Sequence, residues 1–101
     1  MRALDDCYNY EMDTFLNAPE KPRLSFYEMR ENGQKFDGVT NEEVLEVLIH
    51  RIHFLNEKMQ GGKFWCEENH CAWESLLEAR MWLVERTGQR VARKVEGTHE
   101  K

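Results

Sequence analysis

Three arginines, Arg86, Arg90 and Arg93, with Lys94 beside the last, lie in a stretch, 86–95, that holds no acidic residue. A guanidinium is a planar fork of N–H donors that grips a phosphate through two parallel hydrogen bonds, so this spacing points to anion recognition. The competing explanation is a basic helix end favoured by the helix dipole alone. A second group lies upstream. Asn69 falls at an expected helix start, where free N–H groups and the dipole attract anions; the same residue also serves well as an ordinary helix cap. Around it, Met59, Phe64 and Trp65 offer soft or flat apolar surface on which a purine can stack, or else they plug the end of a helical hairpin.

Catalytic chemistry finds less support. Cys66 and Cys71 with His70 hint at zinc, but a closed site needs four ligands and no second pair occurs at the required spacing. Their ordinary reading is a loop thiol and a buried helix thiol, and His50 and His53 are expected on the wet side of a helix. A glycine-rich phosphate loop and a dinucleotide fingerprint are both missing from the sequence. The residues therefore predict a binding protein and not an enzyme, with no catalytic set, metal or cofactor. A small hydrolase or metal protein built around Cys66, His70 and Cys71 is the least favoured alternative.

Composition narrows the partners. The chain has 101 residues, 41% apolar and 33% charged, which suits a single folded domain. A domain this small buries a modest fraction of its surface, so neighbouring subunits often complete the core. The formal net charge of −5 argues against a general DNA or RNA binder. No apolar run spans a membrane, and the N-terminal residues carry acids where an export signal would be basic and then apolar. Three cysteines without a disulfide framework fit reduced thiols in a cytoplasm.

These side chains must be held by elements that the pattern outlines. Residues 1–23 are expected to be a tail or a short amphipathic helix, ended by Pro19 and Pro22. A β-hairpin is expected at about 24–37, turning at Asn32-Gly33. Thr40 and Glu43 fit a capping box that opens a helix at about 40–60, with apolar positions Val44, Leu45, Leu48, Ile52, Leu55 and Met59 and a stop at Gly61-Gly62. A second helix is expected at about 67–94. At a rise of about 1.5 Å per residue the two measure about 31 and 42 Å, so an antiparallel hairpin leaves the basic segment overhanging by roughly 10 Å. Arg90 and Lys94 continue the core stripe past the point where the first helix stops, so these groups are expected to meet solvent, another chain or an anion.

The expected fold is thus mainly α (α+β): an antiparallel helical hairpin with a small N-terminal β-hairpin, a single domain over 24–101, and oligomeric. The second helix has an apolar arc of roughly 160° between Ala72 and Val84, wider than one partner helix needs; its second flank is covered either by the strands at 24–37 or by another subunit, and small size favours the subunit. Distance adds a condition: if Asn69 and Arg86 bind the same ligand, the site must be shared between chains. Asn69 and Arg86 are 17 residues apart on one helix, about 25 Å, too far to share a small ligand within one chain.

Residues 38–99 resemble the helical-hairpin family shared by phage anti-CBASS and anti-Thoeris sponges. The resemblance is carried by Met59-Gln-Gly-Gly-Lys-Phe64, Cys66-Glu-Glu-Asn69, Leu77-Glu-Ala-Arg-Met-Trp-Leu83, Arg86-Thr87 and the tail Arg90-Val-Ala-Arg-Lys-Val-Glu-Gly-Thr-His99. It implies a protein of the host bacterial cytoplasm that sequesters cyclic nucleotide immune signals without cleaving them. Ligands in the family are glycocyclic ADP-ribose and cyclic di- or trinucleotides, bound between the subunits of a homo-oligomer, from dimer to hexamer. The resemblance assigns Asn69, Arg86 and Arg90 to an ADP-ribose-type pocket, with Met59 where the family has a base-stacking aromatic. It assigns Arg93, Thr98 and His99 to a second site. The main competing expectation is a protein-binding inhibitor or assembly factor that uses the apolar face on a host protein.

Overall fold

The computed structural model describes residues 1–92. The described chain is mixed, two helices with small antiparallel sheets, as an α+β reading requires, and it forms two compact units, Met1–Thr40 and one that begins at Asn41.

The first unit holds five short strands. β1 (Arg2–Ala3), β2 (Asn9–Glu11) and β3 (Arg23–Ser25) form an antiparallel sheet in that order, with Ala3 opposite Tyr10 and Tyr10 opposite Leu24. β4 (Glu28–Met29) pairs with β5 (Lys35–Phe36). Residues 1–23, read as a tail or short helix, therefore supply strands. Tyr8, Tyr10 and Met12 alternate, which is a strand period as much as a fragment of a helical one. Asp5 decides between the two: its carboxylate accepts the N–H groups of Tyr8 and Asn9 at 2.8 and 3.0 Å and the Asn9 side-chain amide at 2.7 Å, fixing a turn where a helix would have to start.

The hairpin expected at 24–37 is narrower than its sequence pattern. Leu24 and Ser25 pair with β2, and the two-stranded hairpin itself runs from Glu28 to Phe36 around Asn32-Gly33. Gly33 takes φ +85°, and the Asn32 side-chain oxygen accepts the Gln34 N–H at 2.9 Å. Phe26 bridges to Val39, and its ring meets that of Tyr10 edge-on at 5.8 Å.

In the second unit α1 (Asn41–His53) begins directly after Thr40, where the capping-box spacing puts it, and packs on α2 (Glu67–Ala92). The first helix does not continue as α-helix to residue 60. It widens into a π turn, Phe54–Lys58, and then tightens into a 3₁₀ turn, Met59–Gly62, where Gln60, Gly61 and Gly62 all have positive φ. Such single π turns are rare, and this one holds the buried Asn56, 2% exposed. α2 is described to Ala92; Lys94, the expected helix end, lies outside the described residues.

Half-buried positions on α2 fall at His70, Trp73, Leu76, Leu77, Arg80, Leu83 and Thr87, followed by buried Arg90; apart from the adjacent Leu76 and Leu77 the steps are three and four. Met81, Trp82 and Val84 are half exposed or more, so among the described residues one flank of the wide apolar arc stays open. Among the described residues no apolar side chain is fully buried.

Candidate functional site

The junction between α1 and α2 is built around Asn56. Its side-chain oxygen accepts the Cys66 N–H at 2.8 Å, which ties the last turn before the loop to the residue preceding α2. Gly61 and Gly62 let the chain turn back between them, at φ +67° and +83°. The loop is closed further by hydrogen bonds from the Lys63 N–H to the Gln60 carbonyl and from the Trp65 N–H to the Gly62 carbonyl, the latter at 3.1 Å.

Met59, Phe64 and Asn69, all expected to contact a ligand, lie on or beside this junction and are all exposed. The helix starts at Glu67, so Asn69 stands in its first turn and is not the cap. Glu67 and Glu68 share that turn and the Cys66 N–H is already engaged by Asn56, so the anion-attracting character expected of this helix start is offset by carboxylates.

Four rings form a row at the same place. Trp65 faces His70 at 6.3 Å, His70 faces Trp73 at 5.7 Å, and Trp73 faces His53 at 5.1 Å, with planes inclined by 32–37°. His70 also pairs with Glu74 one turn on, and the Trp65 indole N–H donates to Glu57 at 3.1 Å. His53 was expected on the wet side of the first helix. It is half-buried instead, because the helix face that turns toward α2 includes position 53 and Trp73 lies opposite it. His50 is exposed as expected.

At the far end of α2 the arginines separate. Arg86 is exposed. Arg90 is 6% exposed and engaged by a neighbouring group, contrary to the expectation that an arginine beyond the partner helix must meet solvent, another chain or an anion. It continues the half-buried stripe of α2, three residues on from Thr87. Arg93, Thr98 and His99 lie outside the described residues.

Cys66 is half-buried, whereas Cys71 is exposed and not the buried helix thiol expected; both are free. Among the described residues no group of three His, Cys, Asp or Glu side chains is arranged to hold a metal ion. No helix of the described residues is long and apolar enough to cross a membrane.

Sequence reasoning missed Asn56 and the role of His53. A signal for Asn56 was present: it follows Ile52 by four, so a polar amide stands on the edge of the apolar stripe. Buried amides need partners, and a free helix-start N–H is a natural one.

No family model matches the chain. The resemblance drawn on residues 38–99 has a counterpart among known proteins: over 65 residues, 64% of its length, the chain is 45% identical to Thoeris anti-defense 1 of Bacillus phage SBSphiJ7. It spans 43% of that relative's length, and across that span it is similar to a Thoeris anti-defence protein.

Proposed function

We propose that this chain is a phage anti-defence protein that binds and holds, without transforming it, a cyclic nucleotide immune signal of the host: glycocyclic ADP-ribose, or a cyclic di- or trinucleotide. The reading is supported by the similarity to Thoeris anti-defense 1. One observation carries it structurally. Exposed Asn69, beside an exposed aromatic loop, and exposed Arg86 stand on the same helix 17 residues apart, about 25 Å.

A ligand of that size class spans both groups only if they come from different chains. The proposed assembly is therefore a homo-oligomer, a dimer or a hexamer, of antiparallel helical hairpins. The loop end of one copy lies against the basic end of another, with the ligand between them. Exposed Met81, Trp82 and Val84 supply apolar surface for such packing. The proposal involves no nucleic acid and no membrane, and its setting is the host bacterial cytoplasm.

A trap works at stoichiometric amounts and must hold its ligand at low concentration. Nanomolar affinity corresponds to about −12 kcal/mol, within reach of several charge-assisted hydrogen bonds and one or two stacked bases. Arg86 is the exposed cation for this purpose, and Arg90 takes part only if its present engagement gives way to the ligand.

The test is thermal denaturation of the chain with glycocyclic ADP-ribose isomers and cyclic di- and trinucleotides, followed by mass spectrometry of ligand released by heat. A bound signal raises the melting temperature by linkage and is recovered intact. Stabilisation by none of them, or recovery of a cleaved product, would overturn the reading. A second reading is favoured by Trp82, 59% exposed: an inhibitor that docks this face on a host protein. It requires stabilisation by that protein and by no nucleotide.

A further inference from the structure

We infer that Trp65 is the face on which the purine base of the bound nucleotide stacks; the inference rests on the nucleotide-trap reading above. Trp65 is 51% exposed, yet its ring is held. The indole N–H donates to Glu57 at 3.1 Å, and the Trp65 backbone N–H donates to the Gly62 carbonyl at 3.1 Å. The next residue's N–H is bound by buried Asn56. His70 stands 6.3 Å from the indole, at the head of the row that continues through Trp73 to His53. An aromatic plane that is exposed but already oriented loses little freedom when a ligand arrives. A base on Trp65 would add a fifth ring to the row.

Charge decides which part of the nucleotide comes here. Carboxylates outnumber ammonium groups around it: Glu57 on the indole, Glu67 and Glu68 in the first turn of α2 and Glu74 on His70, against Lys58 and Lys63. Such a setting disfavours phosphate and suits a base whose exocyclic amino group can donate hydrogen bonds. Adenine and guanine both have one. The phosphates then lie at the arginine-bearing end of another copy, which matches the separation of Asn69 from Arg86. Phe64 is comparably exposed, but its described ring partner is the Lys63 ammonium, 5.8 Å away, which fixes no plane.

Intrinsic fluorescence of the full chain, titrated with glycocyclic ADP-ribose and with cyclic di-AMP, tests this, alongside Trp65→Phe and Trp65→Leu checked for helix content. Stacking predicts that one of the two probes quenches the wild-type emission, and that Trp65→Phe loses most of that quenching but keeps its affinity within about threefold. Trp65→Leu should bind roughly five- to a hundredfold more weakly. Quenching that persists in Trp65→Phe, or wild-type affinity in Trp65→Leu, would overturn the assignment while leaving the trap reading standing. If Trp65→Leu fails to fold, the Trp65→Phe quenching decides alone. A wild type that neither probe quenches but that the thermal panel shows to be stabilised also removes Trp65 from the site; a wild type stabilised by nothing removes the trap reading and this inference together.

Discussion

The side-chain oxygen of Asn56 accepts the backbone N–H of Cys66 across ten residues at 2.8 Å, and Asn56 is the most deeply buried polar side chain described. The bond joins the π turn after α1 to the start of α2. The loop that carries Met59, Phe64 and Trp65 is strung between its two ends.

Removing that acceptor leaves the Cys66 N–H in a part-buried setting without its amide partner. Asn56→Ala should lower stability by about 1–3 kcal/mol, read from the midpoint of urea unfolding. A midpoint unchanged from the wild type would mean that water or another group replaces the amide without loss.

Glycines separate by their surroundings. A Cβ at Gly38 would stand 2.4 Å from the Phe26 carbonyl carbon and 2.7 Å from the Ser25 carbonyl oxygen, so the backbone itself must move. Gly38→Ala should destabilise by about 1–3 kcal/mol. At Gly88, inside α2, a Cβ meets nothing within 4 Å, and Gly88→Ala should stabilise by about 0.5–1 kcal/mol through helix propensity. Thermal melts of the two variants should move in opposite directions.

Arg86 and Arg90 should behave differently. Arg86→Ala, at an exposed position, should leave the apo melting temperature within about 2–4 °C of wild type, since surface changes are about ±0.5 kcal/mol, while reducing the shift produced by a cyclic nucleotide. Arg90→Ala removes a buried, engaged cation and should lower the apo melting temperature itself. An Arg90→Ala protein as stable as wild type would return Arg90 to the purely ligand-binding role expected from the resemblance.

Acid should weaken the strand-bearing unit through Asp13. Its carboxyl is held at about 2, first by the Lys21 side chain at 2.6 Å and then by the N-terminal ammonium at 2.8 Å. Because the folded value lies below the ordinary one, the stabilisation is complete above about pH 4 and is lost as pH falls through about 2. All three tyrosines lie in residues 1–40 and all three tryptophans after them, so tyrosine signals follow this unit. Asp13→Asn should remove part of the tyrosine-detected pH dependence between 4 and 2; an identical acid profile would rule the contact out as a contributor.

Self-association is checked at Trp82. Placing a charge on the exposed flank with Trp82→Lys should shift sedimentation at micromolar concentration toward monomer, while the helix content stays unchanged. A wild type that is already monomeric there would sink the between-subunit site.

Much of the helical part was legible in the residues. Thr40 with Glu43, the three- and four-residue apolar spacing and the Gly61-Gly62 pair are local signals, and α1 and the loop after it begin and turn where those signals put them. The glycines could be read because positive φ is a property of single residues. The placement of Met59, Phe64 and Asn69 near one junction followed from the same order along the chain.

What needed three dimensions was every question of partnership. Residues 8–12 fit a strand or a helix fragment, and only Asp5 closing a turn with a β3 alongside settled the matter. Asn56 and Cys66 stand ten residues apart in sequence; burial and a 2.8 Å hydrogen bond from the Cys66 backbone N–H make them a clasp across the loop. His53 left the solvent face because a helix packed against it, and Arg90 lies buried although its charge alone favours water. Local patterns encode backbone preference, which each residue carries with it. Burial and hydrogen-bond partners depend on which distant groups the fold brings within a few ångströms, and no spacing along the chain specifies that.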